Sequence, residues 1–255
     1  MSGRSPSIKK TRKTSNIGFC NWNAELRILE VVRMNRIIQK WIGVVIIGAS
    51  ILFGAPFFFE YFDSKIESKS VTLYQDQIRL PDRILDSLKT GDLIFRKGYG
   101  PITDVISELI ESGPYDLTHC GIIMRKNTDV FVAHAISNKS QKVDGVVLQP
   151  LSLFLKTSRP SNIHIVRWDR YTQEMSSEVE GHIDSLIQLK IPFDRKANYH
   201  DSKALYCNEM IVKIWMNNLH LIEQPRDDKE HWWLFNNLSV LYDEKVSSVV
   251  YTTFK

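Results

Sequence analysis

Short apolar runs bounded by polar turns alternate along residues 88–255 with stretches in which apolar residues recur every third or fourth position. The runs Thr90–Phe95, Leu117–Met124 and Asp129–Ile136, with the shorter Val146–Leu148 and Ile163–Val166, predict strands. Helical spacing appears in Ile102, Val105, Ile106, Leu109 and Ile110, a pattern stopped by Gly113-Pro114. It recurs in Val179, Ile183, Leu186 and Ile187, and again in Met210, Ile211, Ile214 and Trp215. Leu151–Leu155, directly after Pro150, predicts a short helix. The polar Arg125–Thr128 stretch predicts a hairpin loop between the second and third runs. Near the C-terminus stand an aromatic cluster, Trp232-Trp233-Leu234-Phe235, and the run Val249-Val250-Tyr251. Such clusters are usually core, with the lining of a substrate groove as the second reading.

A different pattern fills residues 41–59, where nineteen consecutive residues carry no charge. That length matches the roughly 20 residues a membrane-spanning helix needs. Arg33, Arg36 and Lys40 precede it and Glu60 and Asp63 follow, which predicts a cytoplasmic N-terminus and an outward-facing remainder. Cleavage after Ala55 would leave Pro56 first, so an uncleaved anchor is the expected form. The formal charge of +4 divides unevenly. Residues 1–40 hold nine Lys/Arg and two Asp/Glu, leaving 24 basic and 27 acidic residues beyond them. The basic excess belongs to the leader, and nucleic-acid recognition is not expected. The expected organisation is a basic cytoplasmic tail (1–40), a signal-anchor (41–60), a stalk (61–82) and a folded domain (83–255). Met34 opens a compact basic-then-apolar leader, so residues 1–33 read as a disordered tail or as an upstream mis-start.

The chemistry starts at Cys207, just ahead of the helical pattern that begins at Met210. A thiol at a helix start meets unpaired N–H groups and the positive end of the helix dipole, which favour a thiolate. Taken alone, it reads more readily as a buried structural cysteine. His119 and His134 change that reading. With the hairpin centred between Lys126 and Asn127 they fall directly opposite each other on one sheet face, as base and orienter. Zinc ligation by His, His and Cys competes, but alternation turns Cys120 to the face opposite His119. No Cys-x-x-Cys or His-Glu-x-x-His spacing occurs, and no metal or other cofactor is expected.

Four segments in order, Thr90–Phe95, Thr118–Ile122, Ile191–Asp194 and Tyr206–Met210, resemble the permuted papain-like amidases, the YiiX/YaeF-like branch of the NlpC-type cysteine peptidases. That branch is similar in turn to the lecithin retinol acyltransferases. The resemblance spans about residues 88–216. It implies an α+β, circularly permuted papain-like fold, an antiparallel sheet packed with helices behind the single transmembrane helix. It also implies a Cys207, His119, His134 catalytic set. The third member is often Glu in YiiX-like proteins; His here, as in the acyltransferase-like relatives, removes a fixed negative charge. Asn208 replaces a common Ser and is expected to be tolerated.

The reading that follows is a membrane-anchored cysteine hydrolase facing the periplasm or cell exterior, cleaving an amide in cell-wall peptides. The backbone N–H of Cys207 would be one oxyanion donor. A lipid acyltransferase or acyl hydrolase is the alternative enzyme, and a non-catalytic amino-acid or peptide binder the alternative of another class.

The remaining signals change little. Three cysteines do not make a disulfide framework, and pairing of Cys120 with Cys207 is not expected. His164, His182, His200, His220 and His231 lack a partner pattern and read as surface or packing residues. Asp194 reads as a cap for the segment after it, ahead of a substrate contact. P-loop and Gly-x-Ser-x-Gly signatures are absent.

Overall fold

A computed structural model of the chain describes residues 61–63, 65, 66, 68–70, 72, 73, 78–110, 112–138 and 143–254. The basic tail and the membrane segment expected at 1–60 lie outside the described residues. Among the described residues, no helix is long and apolar enough to cross a membrane.

Six strands, β1 (Leu93–Arg96), β2 (His119–Lys126), β3 (Asp129–Asn138), β4 (Val143–Pro150), β5 (Ile163–Trp168) and β6 (Ser247–Thr252), form one antiparallel sheet. Its order is β4-β3-β2-β1-β5-β6. It is accompanied by helices α1 (Asp82–Ser87), α2 (Pro101–Leu109), α3 (Leu151–Lys156), α4 (Ser176–Gln188), α5 (Cys207–Lys213) and α6 (Asp228–Asn236). Both faces of the sheet are covered, which is why its central strands read as nearly continuous apolar runs. Leu93, Phe95, Ile122 and Met124 point into a core shared with Val179 and Ile183 of α4, Met210 and Ile211 of α5, and Phe235 of α6. Their neighbours Ile94 and Ile123, with Val132, point the other way onto Phe154 and Leu155 of α3. Leu80, numbered above with the stalk, is buried in that second core.

The β2–β3 hairpin differs from the expected loop. Arg125 and Lys126 belong to β2, and the turn is only Asn127-Thr128, closed by the pair Lys126↔Asp129. Asn127 takes a positive φ of 56°, which two-residue hairpin turns demand and Asn tolerates. Arg125 stays in the strand because its guanidinium donates to the carbonyls of Leu85 and Leu88, at 2.9 and 3.2 Å. The register therefore runs Ile122↔Ala133, two residues from the one expected. A slip of two keeps every side chain on its face. His119 and His134 still share a face, but as diagonal neighbours and not as a directly opposed pair.

Candidate active site

The site sits where β2 and β3 separate. Their ladder ends at Ile122↔Ala133, yet β2 stays paired with β1 to Arg96↔His119, and β3 with β4 to Asn138↔Val143. Beyond the last shared pair the two strands leave a notch in the sheet. Helix α5 packs across both strands and brings its first residue, Cys207, to that notch.

Continued past Ile122↔Ala133, the register sets His134 across from Gly121, with His119 two residues along the same face. A Cβ at Gly121 would come within 2.4 Å of Val132 Cγ1 and 3.2 Å of His134 Cβ. The bare glycine thus frees the space over which the two rings meet. His119 Nε2 lies 2.8 Å from His134 Nδ1, with the rings at 79° to each other. Phe154 of α3 stacks on His119 and meets His134 edge-on, and Arg96 lies over the same phenyl ring at 4.8 Å.

Because Nε2 of His119 is engaged with His134, Nδ1 is the nitrogen left for Cys207, whose sulfur pulls the pKa of the ring upward. Cys120, next along β2, also acts on that sulfur, its thiol and backbone N–H lowering the pKa of Cys207. Cys120 and His119 point to opposite faces of the sheet, and the notch lies open to both.

The electrostatics follow from burial. His134 is fully buried, and burial pushes its pKa well below the ordinary imidazole range, helped by His119 and Arg96. Burial also lowers His119, against the upward pull of the Cys207 sulfur. Both rings therefore favour the neutral form. The Cys207 thiol is held well below its usual range, first by the hydrogen bond from Cys120 and then by His119, against the opposing effect of burial. Cys120, buried in an apolar core, is pushed up and stays a thiol that can donate. The arrangement can supply a nucleophilic sulfur with a neutral base beside it.

Gln149 completes the row. It sits on β4 two residues from Val147, the partner of His134, and so shares the histidine face. His134 Nε2 is buried with no hydrogen-bond partner among the described residues, and Gln149 pulls the pKa of the ring upward against burial.

Local structure fixes the approach of Cys207. Phe193 and Leu205 form a parallel bridge; Asp194 N–H donates to Leu205 O and Leu205 N–H to Pro192 O. Asp194 accepts from the backbone N–H groups of Lys196 and Asn198, at 2.7 and 2.5 Å, the capping role expected. Glu209 accepts from the N–H of Tyr206, tying the first turn of α5 to the residue before it. The Tyr206 hydroxyl and the Asn208 side-chain amide both donate to Phe235 O, binding α5 to α6. That bond is the work Asn208 does.

The structure thus brings Cys207, His119 and His134 together. It adds Arg96 and Gln149, which motif reading passed over, and Cys120, which the sequence reading had turned away from the site. Gln149 left one trace in the sequence, its even spacing with Val147 on a strand. Of the other histidines, His164 is buried among Phe95, Tyr115 and Tyr242 and serves packing. No three His, Cys, Asp or Glu side chains among the described residues are grouped to hold a metal ion.

Residues 87–230, more than half of the chain, match the family of permuted papain-like amidase enzymes, YaeF/YiiX, C92 family. Among solved structures, the chain is similar to metalloprotein yiiX from Escherichia coli O157:H7. The two share 16% identity and a TM-score of 0.51, over 66% of this chain and 98% of that one. At that identity the likeness bears on the fold alone. No curated protein matches.

Proposed function

Because the chain belongs to the permuted papain-like amidase family, we propose that it hydrolyses an amide bond with Cys207 as nucleophile, His119 as base and His134 as orienter. The observation that carries this reading is the 2.8 Å contact between His119 Nε2 and His134 Nδ1, which leaves the second nitrogen of His119 facing the thiol.

On this mechanism His134 carries its proton on Nε2, the side on which Gln149 favours the ring, so His134 Nδ1 keeps a lone pair. That lone pair accepts from His119 Nε2–H, which leaves His119 Nδ1 unprotonated toward the sulfur. Nδ1 takes the thiol proton as sulfur attacks the carbonyl carbon, then gives it to the departing amine nitrogen. In the second half-reaction the same nitrogen takes a proton from water, which attacks the thioester and releases the acid. The Cys207 N–H, in the first turn of α5, is one donor to the oxyanion. A neutral His134 stabilises an imidazolium less than a carboxylate would, and nearby Arg96 opposes it further. The hydrogen bonds from Cys120 offset this by stabilising the sulfur anion directly.

On this reading the substrate is a cell-envelope peptide, and the domain is held at the outer side of the membrane by residues 41–60. Its support is the charge asymmetry around an uncharged stretch of nineteen residues. One observation favours lipid acyl chemistry as a second reading. Trp232 and Trp233 are 56% and 47% exposed on α6, the helix whose Phe235 carbonyl holds the residues flanking Cys207. The deciding experiment incubates the full-length protein with peptidoglycan fragments and with phospholipids, beside Cys207→Ala, and reads products by mass spectrometry. Cleaved peptide from the native protein alone is the expected result; products from lipid alone would end the amidase reading.

A further inference from the structure

Helix α2 is amphipathic, and it is set against the fold the opposite way from the usual one. Thr103, Asp104 and Ser107 lie along one side and Ile102, Val105 and Ile106 along the other. The polar side is the one bound to the protein. Asp104 pairs with Lys97 at 3.1 Å and with Arg159 at 2.8 Å. Ser107 accepts from Lys97 at 3.4 Å and donates to Asp116, while Thr103 donates to the Tyr99 carbonyl at 3.1 Å. The apolar side faces outward, with Ile102, Val105 and Ile106 at 37%, 55% and 36% exposure. At the start of the same helix, Asp63 accepts from the Ile102 N–H at 2.9 Å. Around Asp63 along the chain stand Tyr61, Phe62 and Ile66, all exposed. Apolar surface grouped in this way marks a place where something apolar is received.

We propose that α2, with Tyr61, Phe62 and Ile66, is the surface by which the domain lies on a lipid bilayer, the outward side of the helix sunk among the headgroups. The length of the connecting chain argues for this occupant. The uncharged stretch ends at Phe59, and Asp63 stands four residues further on. Four residues span at most about 14 Å even when fully extended. If the uncharged stretch crosses the membrane, the bond between Asp63 and Ile102 keeps the first turn of α2 within that reach of the hydrocarbon edge. The headgroup layer on each side is itself about 5–8 Å deep. An interfacial helix buries its apolar side about 5–10 Å into this boundary, and aromatic residues such as Tyr61 favour the same depth. The segment expected to be a stalk is then a clasp: it fastens the domain to the surface at Asp63 in place of holding it away. The inference rests on residues 41–59 spanning the membrane and adds which face of the domain meets it.

The test reconstitutes the full-length protein into vesicles of phosphatidylethanolamine and phosphatidylglycerol that contain a phospholipid with a diazirine near the top of its acyl chain. After illumination, solubilisation and digestion with trypsin, lipid adducts are mapped by mass spectrometry. The uncharged stretch falls in the fragment Trp41–Lys65 and α2 in Gly98–Arg125. Both fragments are expected to carry adducts, those on the second clustered between Ile102 and Leu109. Val105→Glu is expected to lower the adducts on Gly98–Arg125 about tenfold and to leave those on Trp41–Lys65 unchanged. A folded Val105→Glu protein that labels α2 as strongly as the native one would overturn the inference. If that variant does not fold, the position of the adducts in the native protein still decides. Adducts on Trp41–Lys65 alone would overturn the inference, whether solvent or a second chain meets α2, and leave the membrane anchor standing. Adducts on neither fragment would overturn both.

Discussion

At the residue scale, the proposed site depends on a short row of side chains, Cys120, Cys207, His119, His134 and Gln149. The donor at one end sets how readily the sulfur ionises. Cys207 is therefore expected to react quickly with iodoacetamide near pH 6, and Cys120→Ala to raise the midpoint of that reaction by about one pH unit or more, slowing it about tenfold at pH 6. Cys120→Ser, which still donates, should stay near the native profile; identical profiles for all three would show that the sulfur is set by other groups. Gln149, at the other end, pulls the His134 pKa up against burial. Gln149→Leu removes that influence and should lower kcat about 10–100-fold, with the proton redistributed on His134 in nitrogen NMR spectra. Gln149→Glu keeps an acceptor and should retain the tautomer, while its negative charge moves the acid limb of the pH profile upward. Cys207, His119 and His134 could be read from motif order alone. Gln149 and Arg96 could not, because a side chain's share in a row of this kind depends on register, which short-range pattern does not specify.

At the scale of elements, strands and helices were legible because each buries one or two faces and shows it in its spacing. The hairpin departs from its expected position for a definite physical reason. Arg125 and Lys126 look like loop residues, but Arg125 satisfies its guanidinium on the carbonyls of Leu85 and Leu88, and Lys126 lies 3.8 Å from Asp184. Charged residues remain in a strand when partners wait for them. The face shared by the two histidines survived the error, since the discrepancy was an even number of residues. Gly121 is the position where the corrected register can be challenged. Gly121→Ala places a methyl group within 2.4 Å of Val132 Cγ1 and 3.0 Å of the Ala133 carbonyl. The expected cost is about 1–3 kcal/mol of stability, read by urea unfolding, together with slower alkylation of Cys207 as His134 is displaced. An alanine variant as stable and as reactive as the native protein would rule out the close packing of β2 and β3 described here.

For the whole molecule, the sheet carries three imidazoles kept neutral by burial, His119, His134 and His164, the last with its pKa lowered to about 4. Each takes up a proton on unfolding below pH 6.5, so its contribution is present above that pH and lost as pH falls toward its folded value. Glu209, raised to about 7, acts in the opposite sense between 4.5 and 7. Three groups against one give a net loss on acidification, up to roughly 1.4 kcal/mol per pH unit for each net proton. Chemical denaturation at pH 7 and pH 5 should show lower stability at pH 5, and His164→Phe should flatten the difference; equal stability at both would remove burial as the governing cause. Chain order has a consequence of its own. Arg96, His119, His134 and Gln149 lie on consecutive strands β1 to β4, whereas the thiol emerges about sixty residues after Gln149. At ordinary rates of synthesis that interval is about 3–12 s. The ribosome therefore delivers the two histidines and their neighbours first and the Cys207 sulfur last. On the proposed mechanism, a nascent or truncated chain ending before Cys207 carries the machinery of the site without the atom that would react.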